Sequence, residues 1–223
     1  MASLDRKMKQ CPPVLVIRTT HYPNRRGGLW TTDSKGFYVG ADMPLLLCWA
    51  YETLPTRIIL PDGFLVWQKY DYLNALPNGY QEALRIQIRK KFGLVAHTEM
   101  LNTNVLLIKI RNKALLQSYL SRSVNGNINT LSIYSEGREK TQSYHFQNMT
   151  MSDLAGRIES YIGKPVVGGD DSSERYSFQL QMPTSGRTTG ELAPIIQEKL
   201  EQLGFEFVPT NMPIKMLMVE KVK

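Results

Sequence analysis

The alternation of apolar and polar positions along the chain predicts short strands and amphipathic helices in both halves. β-Branched or alternating segments predict strands at 14–20, 37–39, 57–60, 64–76, 94–99, 105–110, 131–134, 143–146, 164–167, 176–182, 205–208 and 214–219. Apolar residues at helical spacing predict helices at 45–54, 80–92, 113–120, 150–162 and 192–203. Polar residues at 102–104, and a similar stretch before Ile214, predict turns between the last two strands of each half.

Residues that favour helix ends support these boundaries. Asp42 has a side chain that can cap the first helix, and Thr150 with Asp153 three residues later forms the pattern of a capping box. Glycine favours the left-handed conformation in which helices commonly end, and Gly93 and Gly204 each follow a predicted helix. Strands and helices of ordinary length therefore alternate through the chain, which is typical of an α+β protein.

The two halves carry the same order of predicted elements, and residues at matching points recur at a nearly constant spacing. The matched pairs are Leu47 with Leu154, Tyr70 with Tyr176, and Gly93 with Gly204, at separations of 107, 106 and 111 residues. A repeat of this size is typical of a duplicated supersecondary unit. We therefore predict an α+β fold of two tandem similar β-α-β-β-α-β units, with mostly antiparallel sheets and helices packed on one face. Chance similarity between two α+β segments is the alternative.

The repeat predicts four segments along the chain. Residues 1–13 form a leader, 14–111 the first repeat, 112–142 a connector with a short helix and a hairpin, and 143–223 the second repeat. No run approaches the roughly 20 apolar residues of a membrane-spanning helix. The polar start also lacks the apolar region of a signal peptide.

The excess positive charge of the chain is confined to its first half. The 223 residues carry a net charge of +7, with 15 basic and 8 acidic residues up to Asn112 and 12 of each after it. A basic region can attract nucleic acid, anionic lipid or an acidic polymer. Solubility and a solvated helix face are the alternative explanation. The candidate polyanion-binding residues lie in an early loop or on the second predicted helix: Arg25, Arg26, Trp30, Arg85, Arg89, Lys90 and Lys91.

The chain has no recognisable catalytic or metal-binding motif. None of the three histidines has a second metal ligand close by in sequence, so no metal or other cofactor is expected. Motifs of a nucleophile elbow, a phosphate-binding loop and a dinucleotide fold are missing. His97 and Glu99 share one face of a predicted strand, as either an acid–base pair or an ordinary surface pair. Cys11 and Cys48 are too few for a disulfide framework, although one bridge between them stays open.

Several motifs resemble a soil-associated bacterial family of unknown function, abundant in acidobacteria and verrucomicrobia and regarded as secreted. In that family, a helix ending in Ala-Tyr precedes a Pro-Asp-Trp turn, a Tyr-Asp strand and a segment containing Phe-Gly-Leu, His and Glu. The matching positions here are Ala50, Tyr51, Pro61, Asp62, Tyr70, Asp71, Phe92, Gly93, Leu94, His97 and Glu99. Two features depart from the pattern: the turn reads Pro-Asp-Gly-Phe, so that its tryptophan is displaced to Trp67 or lost, and residues 168–175 replace a Thr-Gly-Leu-Thr-Gly loop.

The second half extends the resemblance, so that it covers about residues 14–222. The segments 149–167 and 200–222 are similar to the corresponding family segments along their whole length. Members of the family also occur fused to membrane sensor-peptidases and to thioredoxin-like proteins. The resemblance therefore implies an extracytoplasmic accessory or binding module, and it assigns no catalytic residue.

The function that these observations favour is a non-enzymatic binding or protein-interaction module in the periplasm or outside the cell. Its expected partner is a protein or peptide of the cell envelope, bound through an edge strand or a cleft. One alternative is a binder of nucleic acid or of an anionic envelope polymer that uses the basic first half. Another is an enzyme of unrecognised type around His97 and Glu99. A third is a structural protein that only self-associates.

Overall fold

The α+β class predicted from the sequence is confirmed by the structure. The computed structural model describes residues 10–22, 24–25, 27–30, 35–64, 67–120, 130–135, 141–169, 173–183 and 189–222. These residues form eleven strands, most of them in antiparallel pairs, and five α-helices.

Strands and helices alternate along the chain. The strands are β1 Leu15–Thr19, β2 Gly27–Trp30, β3 Gly36–Ala41, β4 Ile58–Ile59, β5 Tyr70–Asn74, β6 Leu94–Ile110, β7 Thr130–Ser135, β8 Thr141–Met149, β9 Val166–Gly168, β10 Tyr176–Pro183 and β11 Phe205–Lys221. The helices are α1 Met43–Tyr51, α2 Tyr80–Phe92, α3 Lys113–Leu116, α4 Met151–Ile162 and α5 Thr189–Leu203. Short 3-10 turns lie at Pro55–Arg57 and Gln117–Tyr119.

The helix caps predicted at Asp42, at Thr150 with Asp153, and at Gly93 are confirmed, whereas the first helix ends at Tyr51 and the last begins at Thr189. The Asp42 side chain caps α1 by accepting a hydrogen bond from the Leu45 N–H at 3.1 Å. At α4, Thr150 and Asp153 form the complete capping box, in which each side chain accepts from the other residue's N–H at 3.0–3.1 Å. Gly93 ends α2 in the left-handed conformation, with φ of 64°.

The two predicted polar turns are wrong, because the chain stays extended at both places. β6 and β11 are each continuous over 17 residues. The Asn211 side-chain amide donates to Asn104 Oδ1 at 2.9 Å, so residues that often mark turns connect neighbouring strands here. Most β6 side chains between His97 and Asn104 are exposed. Exposure, and not a turn, therefore explains the polar pattern.

The strand predicted at 64–76 is shorter than expected and is confined to β5. Just before it, the Phe64 N–H donates to the Pro61 carbonyl at 3.1 Å and closes a turn. Gly63 lies in that turn with φ of 71°, a conformation that glycine adopts without strain. The alternation of apolar residues in the sequence therefore extends from the turn to β5, whereas the strand is limited to β5.

The chain forms two compact units. The first unit comprises Met1–Met100 and Lys215–Lys223, and the second comprises Leu101–Ile214. Each unit thus includes one part of β6 and one part of β11. The boundaries predicted from the repeat stay a prediction, since they divide the chain by sequence similarity, whereas the units are divided by packing.

The first unit is built on an antiparallel sheet with the strand order β1-β5-β3-β2. The helices α1 and α2 and the end of β11 supply the rest of its core. β4 adds a short parallel pair, in which Ile58 lies opposite Leu217. The largest fully buried side chains of this core are Met43, Leu46, Leu47, Tyr72, Leu84, Ile88 and Leu94.

The second unit is built on an antiparallel sheet with the strand order β10-β8-β7. The helices α4 and α5 pack with it, and β9 pairs in parallel with β6, where Val166 lies opposite Leu106. Phe146 and Phe178 stack at the centre with ring centroids 4.9 Å apart. Other fully buried residues of this core are Ile108, Leu116, Met149, Met151, Leu200 and Phe205.

The two parts of the chain present the same order of elements. It runs β3-α1-β4-β5-α2-β6 in the first part and β8-α4-β9-β10-α5-β11 in the second. The pairing of β3 with β5 and the pairing of β8 with β10 each contain one shift of register. Each shift falls at a residue with positive φ, which is Gly40 at 74° in β3 and Asn148 at 56° in β8. The duplication itself stays a prediction, and the shared order of elements defines which positions of the two parts match.

Candidate functional site

The outer edge of β10 is the feature that most distinguishes the second unit from the first. In the first unit, the corresponding edge of β5 is paired with β1 over five residue pairs, from Leu15 opposite Asn74 to Thr19 opposite Tyr70. In the second unit, an isolated bridge from Leu120 to Tyr176 is the one pairing that the described residues make at that edge. An unpaired strand edge presents backbone N–H and C=O groups that can pair with another chain.

Side chains on the two faces of β10 differ sharply in character. Phe178, Leu180 and Met182 are buried in the core of the second unit. Between them, Gln179 and Gln181 are exposed, as the period of two in a strand requires. The side chains of β10 are therefore buried in the core on one face of the sheet and exposed on the other.

A polar network covers the outer face of the same sheet. The Gln179 amide donates to Ser143 Oγ, and Ser143 Oγ lies 2.9 Å from His145 Nε2. The Tyr134 ring packs edge-on against the His145 ring with centroids 4.9 Å apart. His145 therefore lies on a strand face, and its neighbours hold the edge strand in a defined conformation.

Two of the four candidate cations on α2 are engaged in the fold. Arg85 Nε donates to the Ala50 carbonyl at 2.8 Å at the end of α1, and its guanidinium lies 4.7 Å from the Tyr51 ring centroid. Lys91 Nζ donates to the Ile17 carbonyl at 2.6 Å. These contacts connect α2 to α1 and to β1. They direct both charged groups toward the protein.

The other two cations line a concavity at the C-terminal end of α2. Arg89 and Lys90 are exposed, and together with Ile86, Gly93 and Val222 they line a shallow, solvent-open depression with a volume of about 410 Å³. Arg89 and Lys90 thus lie together at this concavity, whereas Arg85 and Lys91 contact other parts of the fold. The sequence analysis identified the two cations, and it did not identify the apolar residues Ile86 and Val222 beside them.

Two of the remaining polyanion candidates, Arg25 and Trp30, lie beside β2 and on it. Arg25 stacks over the Tyr22 ring, with 5.5 Å between the guanidinium carbon and the ring centroid. Trp30 is the last residue of β2 and lies opposite Gly36. Arg26 lies outside the described residues. A polyanion surface made of all seven residues stays a prediction.

His97 and Glu99 lie side by side on β6, as the sequence predicts. His97 Nε2 and Glu99 Oε1 are 3.4 Å apart, and each side chain is half exposed. Neither side chain lines the concavity at the end of α2. Neither lines a second concavity, which Val16 and Leu73 line on the outer face of the first unit's sheet. The geometry is that of a surface pair on an open strand, and a catalytic role for it stays a prediction.

This second concavity, which the sequence analysis missed, lies on the outer face of the first unit's sheet. Its volume is about 420 Å³. Arg18 Nε lies 3.3 Å from Asp71 Oδ2 across the β1–β5 pair. Alternation within each strand could have indicated this face once the strand pairing was known. Its apolar lining residues are Val16, Phe37, Val39 and Leu73.

The two cysteines are both free thiols. Burial, with a smaller contribution from the charge of Asp42, raises the pKa of Cys48 to about 12. Cys48 is therefore protonated at neutral pH, and it lies partly buried on α1.

Neither a metal site nor a membrane-spanning helix emerges from the described residues. No group of three or more His, Cys, Asp or Glu side chains lies close enough to hold a metal ion. No helix in the described ranges has the length and apolar character needed to cross a bilayer.

The comparisons with known proteins assign a family. A model of a protein family of unknown function, DUF3738, matches residues 46–222, and the chain belongs to this family. No curated protein and no solved structure matches the chain. Membership of a family of unknown function is thus confirmed, whereas the taxonomic range, secretion and fusions that the resemblance implies stay predictions.

Proposed function

We propose that the chain is a non-enzymatic binding module that takes up an extended peptide as an additional antiparallel strand at the outer edge of β10. The observation that carries the proposal is the difference between the two units at this edge. β1 pairs with β5 in the first unit, whereas among the described residues only Leu120 bridges to β10 in the second.

The contacts of β1 indicate which backbone groups of β10 would bind the peptide. In the first unit, the Ala75 N–H, just beyond β5, donates to the Val14 carbonyl at 2.8 Å. The spacing that relates Tyr70 to Tyr176 places Gln181 at the position of Ala75. The Gln181 N–H would therefore donate to the peptide, as the Ala75 N–H donates to Val14.

The sequence of β1 also indicates the kind of peptide that fits. Its residues alternate between the buried Ile17 and the exposed Val16 and Arg18. A peptide with alternating β-branched and polar residues would thus bury one face against the second unit and leave the other in water. Each cross-strand pair contributes about 0.2–1 kcal/mol, so five pairs favour weak, reversible binding.

The test uses a synthetic peptide with the sequence of residues 14–20 and the full-length chain. We expect saturable shifts of the β10 backbone amide resonances, and loss of binding in Gln181→Pro, which lacks the N–H group. Gln181→Thr keeps that group and serves as the matched control, in which binding should persist.

Three outcomes would overturn the proposal. One is the absence of amide shifts along β10, and another is equal binding by the proline and threonine variants. The third is a dimer in sedimentation that Gln181→Pro abolishes, since the edge would then pair with a second copy.

The location outside the cytoplasm and the envelope partner are also our proposals. They are supported by the resemblance to a family regarded as secreted, and fractionation of cells that produce the native gene product tests them. Recovery with the cytoplasmic fraction would contradict the extracytoplasmic location.

A further inference from the structure

The concavity at the end of α2 has a defined construction. Gly93 ends the helix in the left-handed conformation, and its carbonyl accepts a hydrogen bond from the Val222 N–H at 2.7 Å. This bond holds the C-terminal segment beside the last turns of α2. Ile86 and Val222 are 55% and 44% exposed there, next to the side chains of Arg89 and Lys90.

The corresponding helix of the second unit carries a different set of residues. The buried pair Leu84 and Ile88 of α2 matches the buried pair Ile196 and Leu200 of α5. The exposed positions that follow at the same spacing are Ile86, Arg89 and Lys90 in α2, and Glu198, Glu201 and Gln202 in α5.

A glycine follows each helix, five residues after Ile88 in α2 and four residues after Leu200 in α5. Gly204 accepts from the Arg111 N–H at 2.8 Å, as Gly93 accepts from Val222. The fold therefore tolerates acidic and polar residues where α2 has an apolar residue and two cations. Ile86, Arg89 and Lys90 are therefore not required for the packing of α2. Binding of a ligand is a physical reason for this combination of residues.

We propose that this concavity binds a free single-chain anionic amphiphile, of which an alkyl carboxylate is the simplest example. The carboxylate would pair with Arg89 and Lys90, for which no ion pair is formed within the described residues. The alkyl chain would cover Ile86 and Val222. A volume of about 410 Å³ lies within the range of small-molecule sites. The site is independent of the peptide-binding edge of β10.

Charge and shape favour a free amphiphile over a membrane surface or a nucleic acid. Recognition of an anionic bilayer typically uses clusters of about four to eight basic residues, whereas two cations line this concavity. Nucleic acid has no alkyl chain long enough to cover both the exposed Ile86 and Val222. A ligand with one anionic head and one apolar chain matches both parts of the site.

The experiment titrates decanoate into the full-length chain and follows the amide resonances of α2 and Val222. We expect saturable binding of decanoate, and binding of decanol and of acetate that is weaker by about tenfold or more, since each lacks one of the two contacts. Vesicles of phosphatidylglycerol and phosphatidylcholine form the membrane arm, in which no binding is expected.

Two matched variants separate the site from general charge effects. Arg89→Glu with Lys90→Gln introduces the residues of α5, so the chain should fold, and decanoate binding should fall by about tenfold or more. The reverse change in α5, Glu201→Arg with Gln202→Lys, should leave the binding at α2 unchanged. Peptide binding at β10 should be unchanged in both variants.

The proposal is overturned if decanol binds as tightly as decanoate, or if the α2 variant binds decanoate as the original chain does. Binding to vesicles without binding to free decanoate would also overturn it in favour of a membrane surface. Circular dichroism of each variant shows whether a loss of binding merely reflects a loss of fold.

Discussion

The two units have the same order of elements, and they differ most at the outer edge of the sheet. In the first unit β1 occupies the edge beside β5. In the second, the described residues supply a single bridge at Tyr176. Both cores are nevertheless well buried. The comparison teaches that, among the described residues, the sheet of the second unit forms without a counterpart of β1.

The outer faces of the two sheets also differ, since one is apolar where the other is polar. Phe37 lies opposite Leu73 in the first unit, and the matching pair in the second unit is His145 opposite Gln179. The first pair lines an apolar concavity, whereas the second belongs to a hydrogen-bonded network with Ser143. Burial constrains the inner face in both units, and the outer faces are free to diverge.

The largest expected effect tests whether the two cores are equivalent. Leu46 and Leu154 each lie four residues after a helix cap and are almost fully buried. Leu46→Ala and Leu154→Ala should each lower the free energy of unfolding by about 2–5 kcal/mol, because each leaves a cavity. Denaturant unfolding measures the loss, with the exposed Leu115→Ala as control. A loss below about 1 kcal/mol at either position would break the equivalence.

An intermediate effect concerns the positive-φ residue of each central strand. Asn148→Val should destabilise the protein by about 1–2 kcal/mol, because a branched side chain is strained in the left-handed conformation. Asn148→Gly should be tolerated, since Gly40 occupies the matching position. Thermal unfolding of the two variants provides the comparison. Equal stability of valine and glycine variants would show that the position is not held in this conformation.

The smallest expected effect separates the cations of α2 that are engaged in the fold from those that line the concavity. Arg85→Ala should cost about 1 kcal/mol of stability, because it removes the hydrogen bond to Ala50 and the contact with the Tyr51 ring. Arg89→Ala should change the stability by less than about 0.5 kcal/mol. Chemical denaturation of both variants at one salt concentration makes the test. Equal losses would contradict the distinction between the two cations.

Local features of the fold were predictable because they depend on neighbours in sequence. Asp42, Thr150 and Asp153 cap helices through contacts within three residues, and Gly93 ends a helix through its own backbone freedom. The hairpin between β7 and β8 follows from two apolar runs around a polar stretch. Because these interactions join residues close in sequence, a local pattern is enough to indicate them.

The candidate sites were only partly predictable, since each depends on residues distant in sequence. Arg89 and Lys90 were identified by charge, but the partners of Arg85 and Lys91 are the carbonyls of Ala50 and Ile17. The difference between the β5 and β10 edges among the described residues, and the Val16 face of the first sheet, follow from strand pairing. Amino-acid pattern indicates that a segment is a strand, and it does not indicate which strand lies beside it.

By itself, the sequence determined the α+β class, the positions of most helices and strands, and the surplus of positive charge in the first half. Tertiary structure alone decided that β6 and β11 run unbroken through their polar stretches, that β1 pairs with β5, and which cations of α2 contact the rest of the fold. The physical reason is that backbone hydrogen bonds between strands, and between side chains and distant carbonyls, join residues whose separation along the chain leaves no local pattern.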